Sequence, residues 1–341
     1  MRKKTKLVLS LILAFVLACT FATSAFADDS SETSAEATEA RVIKCGLPSP
    51  EGSPHFVAVS YMNEYLEKNG LIKIEIYPSN ALGNERELPE SVGMGTVDMG
   101  VITCSVLANY SGSYYMLDLP YMVSDRGNAL EVLNGEAGRE LMKTLEPAGI
   151  YQLGFWDQGF RQFENNVREC KTVEDVKGLK IRIIENDMFK AMFTNVGVLP
   201  TVMDAAEVLT GLEQGTIDGL DVALSAVYSA GYYVGLKHIL VTNHVYSTMA
   251  PIMNLDLWNS LTPEEQEDLA GAMEYSVDKM IEYMDKADAD CLERFEKEGG
   301  TVNYADKEEW AELMQPVWDM YMDKIDPDLF ELIHGAFDKA M

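Results

Sequence analysis

The sequence predicts an α/β protein of two similar lobes bridged by one long helix. Three observations carry this. Strand and helix patterns alternate as β-α-β-α-β through residues 41–102, and the same alternation recurs through residues 151–222. A capped, unbroken helical stretch then covers residues 262–298. About 37 residues at ~1.5 Å each span ~55 Å, longer than one lobe, so the helix reads as a strut along both.

The elements follow in order. Arg41-Val42-Ile43-Lys44-Cys45-Gly46 alternates into a strand that ends at Leu47-Pro48-Ser49-Pro50. Residues 57–68 read as a helix, with apolar Val57, Val59, Tyr61, Met62 and Leu66, stopped by Asn69-Gly70. Residues 72–77 form a strand of alternating faces, Pro78-Ser79 turns, and 88–94 give a short helix. Gly95-Thr96-Val97-Asp98 leads into a buried strand at 99–102. Such units imply a mostly parallel sheet wrapped by helices. In the second cycle, 151–156 is a strand and 173–176 a helical turn before the strand 180–184. Residues 187–196 and 205–214 are helices ended by Gly197 and Gly215, and 217–222 is a strand. The long helix opens on Thr262-Pro263-Glu264-Glu265, a capping box with proline at the first helical position, and stops at Gly299-Gly300.

Composition sets the outer bounds. The chain has 341 residues, 47% hydrophobic and 24% charged, with mean hydropathy -0.07. That is globular, not collagen-like, coiled-coil or disordered, and long enough for two domains. Lys and Arg total 27 against 55 Asp and Glu, for a net charge of -28 and a pI near 4.4. A chain this acidic repels phosphate backbones, which argues against nucleic acid as a partner, and against anionic lipid surfaces. High net charge favours a soluble monomer.

The first 27 residues read as a secretory signal peptide. Arg2, Lys3, Lys4 and Lys6 make a basic start, residues 7–17 are apolar apart from Ser10, and Ala25-Phe26-Ala27 is a small-x-small cleavage site. The apolar run is short against the ~20 residues of a membrane span. Leu17-Ala18-Cys19 leaves a second possibility, a lipoprotein signal with lipidation at Cys19. Both imply export, to the periplasm or the cell surface. Residues 28–40 are only Ser, Thr, Ala, Asp and Glu, a flexible lead that cannot bury a core.

Beyond the signal, Cys45, Cys104, Cys170 and Cys291 are widely spaced. Export permits disulfides, with three possible pairings, but the preferred reading is four buried small hydrophobes. His55, His238, His244 and His334 form no HxH or HExxH pattern, so no metal site is expected. No GxSxG, GxxxxGK[ST] or GxGxxG occurs, so neither an enzyme nor a cofactor has positive support.

A series of motifs then resembles one family. Tyr77-Pro78-Ser79-Asn80-Ala81-Leu82-Gly83-Asn84-Glu85 is similar to "YPxxxLGxE", and Gly95-Thr96-Val97-Asp98-Met99 to "GxxDM". Leu117-Asp118-Leu119-Pro120-Tyr121 is similar to "LDLPF/Y", and Gly159-Phe160-Arg161 to a GxR element. Residues 174–182, EDVKGLKIR, resemble "DLKGLKIR", and 207–219, EVLTGLEQGTIDG, resemble "EVYxALQxGxxDG". In this order the chain resembles, over nearly all of 42–300, the solute-binding proteins of tripartite ATP-independent periplasmic (TRAP) transporters, of the dicarboxylate-binding DctP type. The resemblance implies a two-lobed periplasmic-binding-protein-like fold (type II). It implies lobes made of 41–158 with 248–287, and of 159–247 with 288–341. It also implies an organic acid as ligand and the small and large membrane permease subunits as partners, with no reaction catalysed.

Arg182 is the leading site residue. A guanidinium can clamp a carboxylate through two parallel hydrogen bonds, and the end of a strand is where open α/β sheets bind ligands. The resemblance gives the same role to Arg182 and makes Arg161 a second anion contact. Trp156 is a candidate pocket wall or core residue, and Asp157 a candidate hydroxyl acceptor or arginine partner, with Gln158 beside them. Thr103 stands where sialic-acid-binding relatives carry a Glu, which argues against that sugar. Around Asp221 the chain reads Asp218-Gly219-Leu220-Asp221-Val222-Ala223 where the family often reads "DGQENP". Val222 thus replaces a ligand-contacting Asn, and Ala205 replaces a Phe, so the expected pocket is roomier and less polar. An aromatic or branched-chain acid, or a C4-dicarboxylate held by other partners, fits that reading. His244 is a pocket-edge or hinge candidate against a purely structural role, and Tyr114, Tyr115, Tyr232 and Tyr233 are cleft candidates. Two other functions compete with transport: an exported enzyme, and a binding protein that feeds a membrane histidine kinase, which has the same fold.

Overall fold

The computed structural model describes residues 40–340. The signal segment, Cys19 and the lead to residue 39 lie outside the described residues.

Among the described residues there are eleven strands: β1 Arg41–Gly46, β2 Ile72–Tyr77, β3 Met99–Thr103, β4 Ile150–Gln152, β5 Trp156–Asn165, β6 Lys180–Ile183, β7 Leu199–Val202, β8 Gly219–Ala223, β9 His238–Val241, β10 Tyr246–Asn254 and β11 Thr301–Tyr304. They run in the spatial order β2-β1-β3-β10-β5-β8-β6-β7, with β4 beside β10 and the pair β9-β11 beside β5. The wings are parallel, as the β-α-β alternation predicts: β1 with β2 and β3, β6 with β7 and β8. The centre departs from that expectation. β10 is antiparallel to β3 and β5, and β5 is antiparallel to β8. β5 and β10 thus lie between the two parallel wings. Their ladder is interrupted by a register shift between Ser247 and Thr248.

Local chemistry sets the helix starts. The helix Pro54–Leu66 begins three residues before the apolar pattern suggests, because Ser53 caps it through Oγ to the Phe56 N–H and Pro54 occupies the first turn. The long helix spans Pro263–Lys297, 35 residues. Its capping box forms as expected: Glu265 N–H donates to Thr262 Oγ1 at 3.2 Å, and Thr262 N–H donates to Glu265 Oε2 at 2.8 Å.

That helix ties the lobes together through two separate apolar clusters. Met273, Met280 and Met284 pack with Trp156, Met249 and Met62 of the first lobe. Cys291 and Phe295, further along, pack with Leu220, Val222 and Ile239 of the second. All four cysteines of the described residues are buried free thiols.

Candidate functional site

The carboxyl ends of six parallel strands converge on one cavity of about 280 Å³. Pro48 and Ser49 follow β1, Ser79 and Asn80 follow β2, and Thr103 ends β3. Arg182 lies near the end of β6, Ala205 follows β7, and Val222 lies near the end of β8. Parallel strands place their ligand-facing loops at this end, so both wings of the sheet contribute walls to one space.

Arg182 is 6% exposed, and its Nε donates to the Met203 carbonyl at 2.9 Å. Among the described residues it forms no ion pair. Burial therefore draws its pKa below the ordinary arginine range. A buried cation without a counter-ion is costly.

Arg161 also lines the cavity but is compensated. Its Nε donates to both Asp221 carboxylate oxygens, at 2.9 and 3.1 Å, and Nη2 donates to Asp221 Oδ2 at 2.9 Å. Nη2 also reaches the Asp221 carbonyl at 2.5 Å, and the guanidinium lies 4.9 Å from the Phe189 ring centroid. Arg161 faces Ala223 across the β5-β8 ladder, which is why Asp221, two residues earlier, meets it.

Thr103 and Gln158 form a polar bridge inside the cavity. Gln158 Nε2 donates to Thr103 Oγ1 at 3.2 Å, while Gln158 Oε1 accepts from Ser247 Oγ at 2.9 Å. Thr103 donates through N–H and Oγ1 to the two oxygens of Glu85, at 3.0 and 3.1 Å. Burial raises the Glu85 carboxyl to about 7, against these donors, which lower it.

The structure thus brings Arg182, Arg161, Thr103, Gln158, Val222 and Ala205 to one cavity. The other four residues singled out in the sequence do not line it. Trp156 is fully buried in the first-lobe cluster, its Nε1 donating to Ser276 Oγ at 2.8 Å, so it serves as core rather than pocket wall. Asp157 accepts from Arg126 Nη1 at 3.1 Å and from the Gly159 N–H at 2.9 Å. Its partner is therefore Arg126, which also reaches Asp285 and Asp288 of the long helix. Asp221 is committed to Arg161. His244 is buried between Thr242 Oγ1 at 2.8 Å and Asp221 Oδ1 at 3.1 Å, a satisfied structural histidine. Of the four tyrosines, Tyr232 lines the cavity, its hydroxyl donating to the Ala205 carbonyl at 3.3 Å. Tyr114 is buried and bonded to Gln152, while Tyr115 packs tilted against Tyr321 and Tyr233 stacks on Tyr228.

Among the cavity residues that sequence reasoning passes over are Glu85, His55 and Asn80. Glu85 and Asn80 carry a signal, since both sit in the YPxxxLGxE-like segment. His55 carries none beyond following a Ser-Pro helix start.

Fold and cleft together define a two-lobed α/β binding protein. The chain belongs to the bacterial extracellular solute-binding proteins of family 7, DctP, whose profile matches residues 47–324. It is 32% identical over 235 residues to the 2,3-diketo-L-gulonate-binding periplasmic protein YiaO of Escherichia coli K12, covering 68% of this chain and 72% of that one. The fold matches a TRAP periplasmic solute-binding protein of Xanthobacter autotrophicus Py2 with bound β-D-galacturonate. The TM-score is 0.82 and the identity 29%, over 87% of this chain and 99% of that one. It also matches a TRAP periplasmic solute-binding protein of Polaromonas sp. JS666 bound to D-erythronate, with TM-score 0.81 and 27% identity, over 86% and 98%. This is a solute-binding family of transport proteins rather than a family of enzymes. Among the described residues, no helix is long and apolar enough to cross a membrane, and no cluster of His, Cys, Asp and Glu is arranged to hold a metal ion.

Proposed function

We propose that the chain captures a small organic acid outside the cytoplasm and delivers it to the small and large membrane subunits of a TRAP transporter, without catalysing a reaction. One observation carries the ligand class: Arg182 is buried in the cavity and, among the described residues, forms no ion pair, the cavity's own carboxyl Glu85 being raised by burial to about 7. The solutes named for the three relatives are all carboxylic acids, which supports the same reading.

In this reading Arg182 clamps the carboxylate, and Arg161, already held in place by Asp221, lends its remaining polarity. Lobes of 41–158 with 248–287 and of 159–247 with 288–341 close on the ligand. The proposed hinge is the register shift at Ser247/Thr248, opposite Asp157 and Gly159. Closure excludes water and strengthens the ion pair, and the ligand shifts the population by its preference for the closed form. The exported protein acts as a monomer, free in the periplasm or held at the surface through Cys19.

A thermal-shift screen of the purified protein against carboxylates, neutral sugars and amines tests this. A ligand at a hundred times its Kd stabilises by ~2.7 kcal/mol. The expected hits are confined to carboxylates. Hits only among neutral or cationic solutes would refute the reading.

A further inference from the structure

The wall built by the ends of β1 and β2 holds two polar atoms without partners. His55 Nε2 and Asn80 Oδ1 are both buried and unbonded, and both residues line the cavity. Hydrogen bonds gather them into one corner. Ser49 Oγ lies 3.2 Å from His55 Nδ1, the Ser79 N–H donates to the Ser49 carbonyl at 2.9 Å, and the Asn80 N–H donates to the Leu47 carbonyl at 3.1 Å. Ser79 and Asn80 both hold left-handed backbone, at φ 58° and 61°. That conformation is unfavourable for Ser79, whereas asparagine adopts it readily. Native proteins seldom leave buried polar atoms unpaired, because each forfeits its hydration without recompense.

The chemistry of the corner is neutral. Ser49, Ser53, Ser79 and Asn80 carry no charge, and burial pulls the His55 imidazole down to about 4, so it is uncharged at neutral pH. A second carboxylate finds no cation here, and Glu85 on the β3 side of the same cavity opposes it. Asn80 Oδ1 requires a donor, which a carboxylate or a methyl group lacks. A hydroxyl both donates and accepts. It therefore donates to Asn80 Oδ1 and accepts from His55 Nε2–H, the tautomer in which Nδ1 accepts from Ser49 Oγ. The apolar side of the cavity, at Val222, Ala205 and Leu209, belongs to the second lobe, so the two walls ask different things of the ligand.

We propose that this cleft selects a hydroxylated monocarboxylate, with its carboxylate at Arg182 and a hydroxyl read by His55 and Asn80. The proposal rests on the carboxylate-capture reading above and narrows it, against dicarboxylates and against purely apolar acids.

Calorimetric titration of the purified protein with two matched series tests it: erythronate, butyrate and succinate at four carbons, and gluconate, hexanoate and adipate at six. A site built to hydrogen-bond a hydroxyl rejects the analogue lacking it strongly. In at least one series the hydroxylated acid is expected to bind about a hundredfold more tightly than its deoxygenated and diacid partners. His55→Phe and Asn80→Gly, the latter tolerant of the left-handed backbone, are expected to weaken the hydroxylated acid about tenfold and leave the deoxygenated acid unchanged. The wild-type comparison alone decides the matter if a variant fails to fold. Equal or tighter binding of butyrate, hexanoate or a diacid overturns the proposal and leaves carboxylate capture standing. So does a non-hydroxylated acid found in the wider thermal-shift screen when neither hydroxylated acid binds. Failure of every carboxylate in both experiments overturns both readings.

Discussion

Asp221 grips Arg161 through both carboxylate oxygens and takes His244 Nε2 on Oδ1 at 3.1 Å, all three side chains fully or almost fully buried. Burial pushes the Asp221 carboxyl up, but Arg161 and His244 outweigh it and hold the group below the usual carboxylate range. The two cavity arginines are therefore unlike. Arg161 is one half of an ion pair built into the β5-β8 ladder, whereas Arg182, among the described residues, donates to the Met203 carbonyl and forms no ion pair.

Asp221→Asn tests the first half of that contrast. It leaves a buried guanidinium without its counter-charge, which costs about 3–5 kcal/mol. Chemical denaturation of the ligand-free protein is expected to show a loss of that size. A loss below about 1 kcal/mol would mean that Arg161 is held by something else.

Arg182→Met tests the other half. Removing an uncompensated buried charge in favour of an apolar side chain of similar length is often neutral or stabilising, by about 1–4 kcal/mol. The ligand-free variant is expected to melt at or above the wild-type temperature while losing all stabilisation by ligand. A clear fall in the melting temperature without ligand would show that Arg182 serves the fold.

Glu85 gives the site a pH dependence. Its carboxyl, raised by burial to about 7, is neutral below that pH and negative above it. A bound carboxylate, ionised throughout this range, favours the neutral form of its neighbour. Affinity is therefore higher at pH 6 and falls as pH rises through 7, by an amount on the order of 1 kcal/mol at pH 8. Titration at the two pH values is expected to show this for the wild type and not for Glu85→Gln. Affinity that rises with pH would contradict the placement of Glu85.

Gly159 sits at the β5-β10 irregularity with φ 97°. A Cβ there would meet Asp288 Oδ2 at 3.3 Å and Met284 Cε at 3.4 Å, both on the long helix. Gly159→Ala combines backbone strain with these contacts and is expected to destabilise by about 1–3 kcal/mol. Unchanged stability in a denaturant melt would show that the bulge relaxes freely.

β1, β2, β3, β6, β8 and the long helix are legible in the sequence because each announces itself locally, whereas the edge strand β7, Leu199–Val202, is not. β1 and β2 alternate, β3 is an apolar run after a turn, and Thr262-Pro263 caps the helix. The two strands shared by the lobes were not legible. Every residue of β10 is buried, and all but Phe160 in β5, so neither shows period-two alternation. β5 also contains Gly159 and the polar run Gln158, Arg161, Gln162, Glu164, while β10 contains Pro251, all signals against a central strand. Those polar residues are there because the cleft and its supports are built from them. The same cause explains the site. Arg182 was legible from a strand end and a motif, but Asp221, Asp157 and His244 are polar residues whose partners come from distant segments, and spacing does not reveal which face they take. His55 and Asn80 emerge only when the loops after β1 and β2 are folded against each other.

In the proposed function Arg182 anchors the ligand's carboxylate by two-point contact, with Arg161 in support. Calorimetric titration of Arg182→Lys with the tightest carboxylate found tests it most directly. Lysine keeps the charge but not the planar pair of donors. The expected result is a loss of affinity of about tenfold or more in a protein that folds as the wild type does. Affinity within a factor of two or three of wild type would contradict the assignment.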